Sequence, residues 1–350
     1  MRGGAVLFLG VEGTAISTGE ARILRRVEPG GIVLFGRNLE SESQLRALMV
    51  ELRALLPAGI FCVDSEGGRV DRLRNLVGSA PAAAALARIP SRFARRAGRN
   101  IGESLRTFDF DLDFAPVVDL DHGAVDNALD GRSFGSTPRA VTSRAGGFLA
   151  GLHSAGIGGC LKHFPGLGRA TADTHLRGAH IAASADELLR DRRPFTELFA
   201  NVDSVMVSHA IYPDLSRENF PASLNPEIAR KLLVKNTGFR GAVFSDDLEM
   251  GALAEFGALP KIAASALHAG CHGLLFCRRI DEAPAIAKAL GSSRHHARLG
   301  EATRRLGRLQ KTLAKRKSAA KKPLDVETLR RRFELLAGDV DEALAALENS

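Results

Sequence analysis

Eight short apolar runs, separated by stretches of helical periodicity, limit most tightly what this 350-residue chain can fold into. They are AVLFLG (5–10), GIVLF (31–35), IFCVD (60–64), DFAPVVD (113–119), GCLKHF (159–164), SVMVSH (204–209), AVFSDD (242–247) and GLLFC (273–277). Runs this short, rich in Val, Ile and Phe and not alternating with polar residues, suit strands buried on both faces. Eight strand-then-helix units predict an α/β fold of the (β/α)8 TIM-barrel type, with an open doubly wound sheet as the second arrangement. Past residue 300 the character turns to Lys, Arg, Ala and Leu, and helices are expected over 301–316 and 325–348, broken at Lys322-Pro323. The expected organisation is a single domain: a barrel over 1–300, with basic C-terminal helices over 301–350 packed on or beside it.

Polar side chains gather where the runs end: Asp64, Asp119, Lys162, His163, His209, Asp246 and Asp247. Barrel enzymes place their chemistry at that face, because the loops after the strands converge there over a packed core. The fifth run leads into KHFPGLGRATADTHL, a glycine-rich loop ending in Asp173 and His175. One intervening residue lets a carboxylate orient an imidazole and raise its basicity. The same spacing also suits a helix-capping aspartate followed by a surface histidine. After the seventh run stands FSDDLEM, whose adjacent acids cannot both face inward if the strand alternates. One is expected in the pocket and the other capping the next turn, although two caps would satisfy the local pattern. His163, His175, His209 and the acids show no diagnostic metal spacing, so no metal is expected.

The formal charge of +8 would suit a polyanion, but aromatic residues make up only 5%, Trp is absent, and no nucleic-acid signature is present. Much of the excess lies in RRLGRLQKTLAKRKSAAKKP, which reads as a solvated helix face. Cys62, Cys160, Cys271 and Cys277 lack C-x-x-C spacing and lie in or beside apolar runs, as buried free thiols of a reducing compartment would. The first apolar run is cut short by Glu12, too soon for a signal-peptide core, and no run approaches a membrane span. A cytoplasmic protein is expected, with neither nucleic acid nor membrane as partner.

The loop KHFPGLGRATADTHL resembles the K-H-[FL]-P-G-H-G-x4-D-[ST]-H signature of family 3 glycoside hydrolases, in particular the bacterial β-N-acetylglucosaminidases of cell-wall recycling. VEGT, PGGIVLFGRN, VDSEGGRVDRL, DFAPVVDLD, DGRSFG, VMVSHAIYP, PASLNP and GAVFSDDLEM agree in order, over roughly residues 8–280. The resemblance implies Asp246 as nucleophile, His175 as acid/base and Asp173 as its partner. It also implies Asp64, Arg72, Arg132, Lys162 and His163 as the grip on the sugar hydroxyls, and His209 is expected among the substrate-binding residues. Carboxylates and guanidinium groups suit vicinal hydroxyls, and a cation beside a carboxylate keeps it ionised. Three positions depart from the pattern: Leu167 stands for the second His of PGHG, Ser65 for the Gln of DQEGGR, and His272 for the Asp of AGCD.

The implied activity is hydrolysis, with retention and without a cofactor, of terminal non-reducing β-linked N-acetylglucosamine. The expected substrates are small muropeptides such as GlcNAc-anhydroMurNAc peptides, and the expected state is a monomer. A family 3 β-glucosidase and a β-N-acetylglucosaminide phosphorylase are the rival activities. A non-catalytic sugar-binding barrel is the rival of another class, and the presence of Asp246, Asp173 and His175 together argues against it.

Overall fold

Each of the eight apolar runs supplies one strand of a closed parallel barrel in a computed structural model that describes residues 2–123, 129–170 and 179–349. In chain order the strands are β1 (Leu7–Gly10), β2 (Gly31–Leu34), β3 (Ile60–Val63), β4 (Ser65–Gly67), β5 (Val70–Asp71), β6 (Leu112–Asp113), β7 (Gly158–Phe164), β8 (Ser204–Val207), β9 (Ala242–Asp247) and β10 (Gly273–Phe276). The barrel order is β1-β10-β9-β8-β7-β6-β3-β2, closing on itself, so the doubly wound alternative is excluded. β4 and β5 form a separate antiparallel hairpin that the sequence pattern did not signal. The run 113–119 is regular strand only at its start. Pro116 has no amide hydrogen to offer a ladder, and pairing resumes as a single bridge between Val117 and Lys162.

Aromatic rings fill the barrel interior. Phe244 meets Phe8 edge-on at 4.9 Å between centroids and Phe114 at 5.4 Å. Room for these rings comes from two glycines facing them. A Cβ on Gly31 would lie 2.5 Å from the Phe8 ring, and one on Gly273 would lie 2.3 Å from the Phe244 ring. All four cysteines are free and buried. Burial pushes the Cys160 and Cys271 thiols up to about 12, which keeps them unreactive. Among the described residues no helix is long and apolar enough to cross a membrane.

The base of the barrel is built on a repeated device. The residue just before β6, β8 and β10 turns its side chain sideways to accept a backbone N–H from the neighbouring strand. Asp111 takes that of Phe61 at 2.9 Å, Asp203 that of Gly159 at 3.2 Å, and His272, through Nδ1, that of Val243 at 2.9 Å. The helix His296–Ala319 then supplies cations from below. Lys317 pairs with Asp111 and Arg316 with Asp203, each at 2.7 Å. The basic stretch is therefore not a purely solvated face. Its Arg305, Arg316 and Lys317 turn inward because acids and carbonyls of the barrel base need partners, while Leu306, Leu309 and Leu313 bury its apolar side. The following helix, Val326–Glu348, buries Leu329, Phe333 and Leu336 and docks against Ser91–Thr107, where Asn100 donates to the Arg332 carbonyl.

His272 fits this device as an acceptor without charge. Arg305, left without a carboxylate there, donates instead to the carbonyls of Phe239 and Gly241. Burial, aided by the nearby Arg305 charge, holds the His272 imidazole down to about 3. Since the unfolded chain binds a proton below about 6.5 and the native imidazole refuses it, stability is lost as pH falls from about 6.5 towards 3. His272→Asp keeps an acceptor for Val243 and gives Arg305 a partner. We expect its melting temperature to fall less between pH 7.5 and pH 5 than that of the native protein. An identical pH dependence in the two proteins would rule out His272 as the acid-sensitive group.

Candidate active site

A cavity of about 420 Å³ opens at the C-terminal end of the barrel, where the loops after the strands meet. Asp64, Arg72, Arg132, Lys162, His163 and Asp246 line it together, although they come from separate parts of the chain. Lys162 projects from β7 with its ammonium 2.6 Å from both Asp64 and Glu66. Arg132 grips the same Glu66 with two parallel hydrogen bonds of 2.7 Å. Burial opposes the Glu66 charge, but Arg132 and Lys162 outweigh it and hold the carboxyl well below the usual carboxylate range. The reverse holds for Lys162: burial works against its charge, while Asp64 and Glu66 raise its basicity. The result is a wall of fixed charges in which Glu66, Lys162 and Arg132 are each held in the ionised form by their partners.

Glu66 was not among the residues singled out from the sequence. It stands two residues after Asp64 and shares its side by strand alternation through the hairpin β4–β5, which the sequence pattern did not signal. Behind the wall, Ser65 donates its amide to Asp113 at 2.9 Å. Burial pushes the Asp113 carboxyl well up. The side chain of Ser65 faces this interior and not the cavity: its hydroxyl is buried without a partner.

His163 is held by Asp119, which is itself wholly buried. Asp119 accepts from His163 Nδ1 at 2.8 Å, from the His163 amide and from the Leu167 amide at 2.7 Å. One carboxylate thus fixes both the imidazole and the turn that follows β7. Leu167 adds its side chain to the apolar core at 3% exposure, so the loop is anchored there by backbone and by packing. Further along, Arg169 pairs with Asp191 at 2.7 Å and with Glu187 at 2.9 Å. On the far side of the loop, Ala179 accepts from the Ile211 amide and Ile181 donates to the Ile211 carbonyl, each at 2.8 Å. Asp173 and His175 lie between these anchors, in the segment 171–178 outside the described residues.

The two acids ending β9 divide their work. Asp246 accepts the amide of Asp247 at 2.8 Å, which sets the orientation of its carboxylate in the cavity. Asp247 also borders the cavity but caps the turn, accepting the amides of Glu249 at 3.1 Å and Cys277 at 3.3 Å. Burial, with the Glu249 charge adding to it, pushes the Asp247 carboxyl up to about 7. Among the described residues that line the cavity His209, expected among the substrate-binding residues, does not appear. It is 1% exposed, with Nδ1 on the Ser223 hydroxyl at 2.7 Å and Nε2 on the Asp247 carbonyl at 2.9 Å. Its place is behind β9, where it steadies the turn bearing the two acids.

Fixed carboxylates and cations around a cavity of this size suit a polyhydroxylated ligand, which can donate to the former and accept from the latter. The sequence profile of the glycosyl hydrolase family 3 N-terminal domain matches residues 6–309. A β-hexosaminidase of Tolumonas auensis is 38% identical over 291 residues, covering 81% of this chain and 86% of the relative. A β-hexosaminidase of Pseudomonas aeruginosa is 36% identical over 274 residues, covering 77% and 82%. Among solved structures, NagZ from Neisseria gonorrhoeae superposes with a TM-score of 0.79 at 29% identity, covering 95% of this chain and 96% of that one. A family 3 β-N-acetylglucosaminidase from Paenibacillus superposes with a TM-score of 0.88 at 27% identity, covering 95% and 67%. The chain belongs to glycosyl hydrolase family 3 and is a glycosidase of its β-hexosaminidase branch.

Proposed function

We propose that this enzyme releases terminal, non-reducing β-linked N-acetylglucosamine from small peptidoglycan fragments, with retention at the anomeric carbon. Asp246 acts as nucleophile, His175 as acid/base, and Asp173 orients and activates the imidazole. Asp64, Arg132, Lys162 and His163 hold the sugar, with Arg72 at the edge of the cavity. The observation that carries this reading is the shared wall. The Asp246 carboxylate is aimed into the same cavity as the Lys162–Asp64–Glu66–Arg132 cluster, so a sugar held by that cluster lies within reach of an oxygen nucleophile.

The chemistry follows from these roles. An Asp246 oxygen bonds to the anomeric carbon as the glycosidic oxygen leaves, taking the proton from His175. Water then attacks the glycosyl-enzyme while His175 takes a proton back, and the Asp246 carboxylate departs. Histidine replaces the second carboxylic acid of the usual two-carboxylate scheme. The loop that carries Asp173 and His175 has its leading flank tied at Leu167 to Asp119, the carboxylate that also holds His163 on the cavity wall, which supports delivery of the proton from that side.

A chromogenic β-N-acetylglucosaminide and the matching β-glucoside, each assayed with and without phosphate, test the activity. We expect phosphate-independent turnover of the first and little of the second. Asp246→Asn should abolish turnover of every substrate while the melting temperature stays close to native; a covalent sugar trapped on Asp247 would overturn the assignment. Asp64→Asn and Arg132→Gln should lower kcat/KM by about tenfold or more, since a buried partner loses its charge-assisted hydrogen bond at about 1–3 kcal/mol. Kinetics close to native in both variants would mean that the sugar binds elsewhere. His175→Ala should suffer most on poor leaving groups. Glycosylation from an activated aryl glycoside needs little proton assistance, whereas deglycosylation still needs a base, and azide should rescue that step. Equal losses on aryl and natural substrates, without azide rescue, would remove His175 from the role. Asp173→Asn should be milder, leaving an imidazole that is present but less basic.

A further inference from the structure

The cavity wall is paired at Lys162 and Arg132, Arg72 keeps an unpartnered Nε for the sugar, and the rim carries a further cation that is not paired. Lys162 and Arg132 are committed to Asp64 and Glu66, and Arg37 spends its guanidinium on the carbonyls of Val11 and Cys277. Arg278 borders the same cavity, is solvent-exposed, and has no hydrogen bond or ion pair from its guanidinium among the described residues. Its backbone is held all the same. Glu249 accepts the amide of Arg278 at 2.7 Å and that of Arg279 at 3.0 Å, so the turn after β10 is clamped while the side chain reaches into the opening. The Glu249 carboxylate is engaged by these amides and is not an ion-pair partner of the Arg278 guanidinium.

The position of Arg278 follows from the barrel register. Leu275 of β10 pairs with Asp247 of β9, so Arg278 follows three residues further along, on the solvent side of Asp246. The base of the cavity is shut by the charged wall and by the buried Met206 and Leu275. A sugar resting on that base must point its leaving group outward, past the rim. An uncompensated guanidinium there favours a leaving group that bears an anion, and its planar fork matches a carboxylate.

We propose that Arg278 is a specificity-determining residue that meets a carboxylate on the leaving group and so selects acidic over neutral β-N-acetylglucosaminides. This rests on the β-N-acetylglucosaminidase reading above. The test compares two disaccharides in which β-linked N-acetylglucosamine is joined to a sugar bearing an O3-lactyl group, one with the free carboxylate and the other with its methyl amide. The bond broken is the same in both. The native enzyme should favour the carboxylate by about fivefold or more in kcat/KM at low ionic strength, and added salt should shrink that ratio, as for any partly solvated ion pair. Arg278→Gln should bring the ratio close to one. A native ratio of one, or an undiminished ratio in Arg278→Gln, overturns the proposal while leaving the glycosidase reading intact. No turnover of either disaccharide by the native enzyme would sink both together.

Discussion

An ammonium group buried inside a barrel can remain charged only if carboxylates are brought to it, and in this protein the requirement organises the whole catalytic face. Lys162 is 2% exposed and sits between Asp64 and Glu66, with Arg132 completing the set from the opposite side of Glu66. Removing one member of such a cluster leaves an uncompensated buried charge, typically about 3–5 kcal/mol. A fully apolar wall would be as stable or more so. The cluster therefore makes sense as a binding surface: rigid charges already desolvated and facing the cavity.

The other parts of the site are held by single buried acceptors that each serve several donors. Asp119 fixes the His163 ring and two backbone amides at the root of the loop. Asp247 fixes the turn after β9 and the start of the turn after β10, and His209 supports its carbonyl from behind. Side chains of this kind act through the groups they hold. They determine where the touching ones stand, and small displacements there are costly to catalysis.

The same economy governs the opposite end of the barrel. Asp111, Asp203 and His272 each close a gap between neighbouring strands, and the helix His296–Ala319 answers the two acids with Lys317 and Arg316. The departure at His272 is thereby accounted for: an imidazole nitrogen can accept the Val243 amide as a carboxylate oxygen would, provided that the ring stays neutral. Charge in the C-terminal region is thus partly structural, and the mostly unpaired, solvent-facing remainder explains why the chain as a whole is basic.

By itself the sequence determined eight buried parallel strands alternating with helices, because burial on both faces leaves a local signature that needs no knowledge of the partner strand, whereas closure into a barrel rather than an open sheet was decided by the strand order. It also made Asp64, Lys162, His163 and Asp246 candidates for one site, since polar residues at strand ends have one place to converge, while Arg132 joined them only through the resemblance of DGRSFG. Which of them touch, and through what, was decided only by tertiary structure. The pairs Lys162–Asp64 and Arg132–Glu66 join residues far apart in the chain, and no periodicity encodes such a contact. The burial of His209, the inward turn of Arg316 and Lys317, and the split between Asp246 and Asp247 depend in the same way on what lies across the barrel. A side chain's type limits the interactions it can make, but its environment, assembled from distant segments, selects among them.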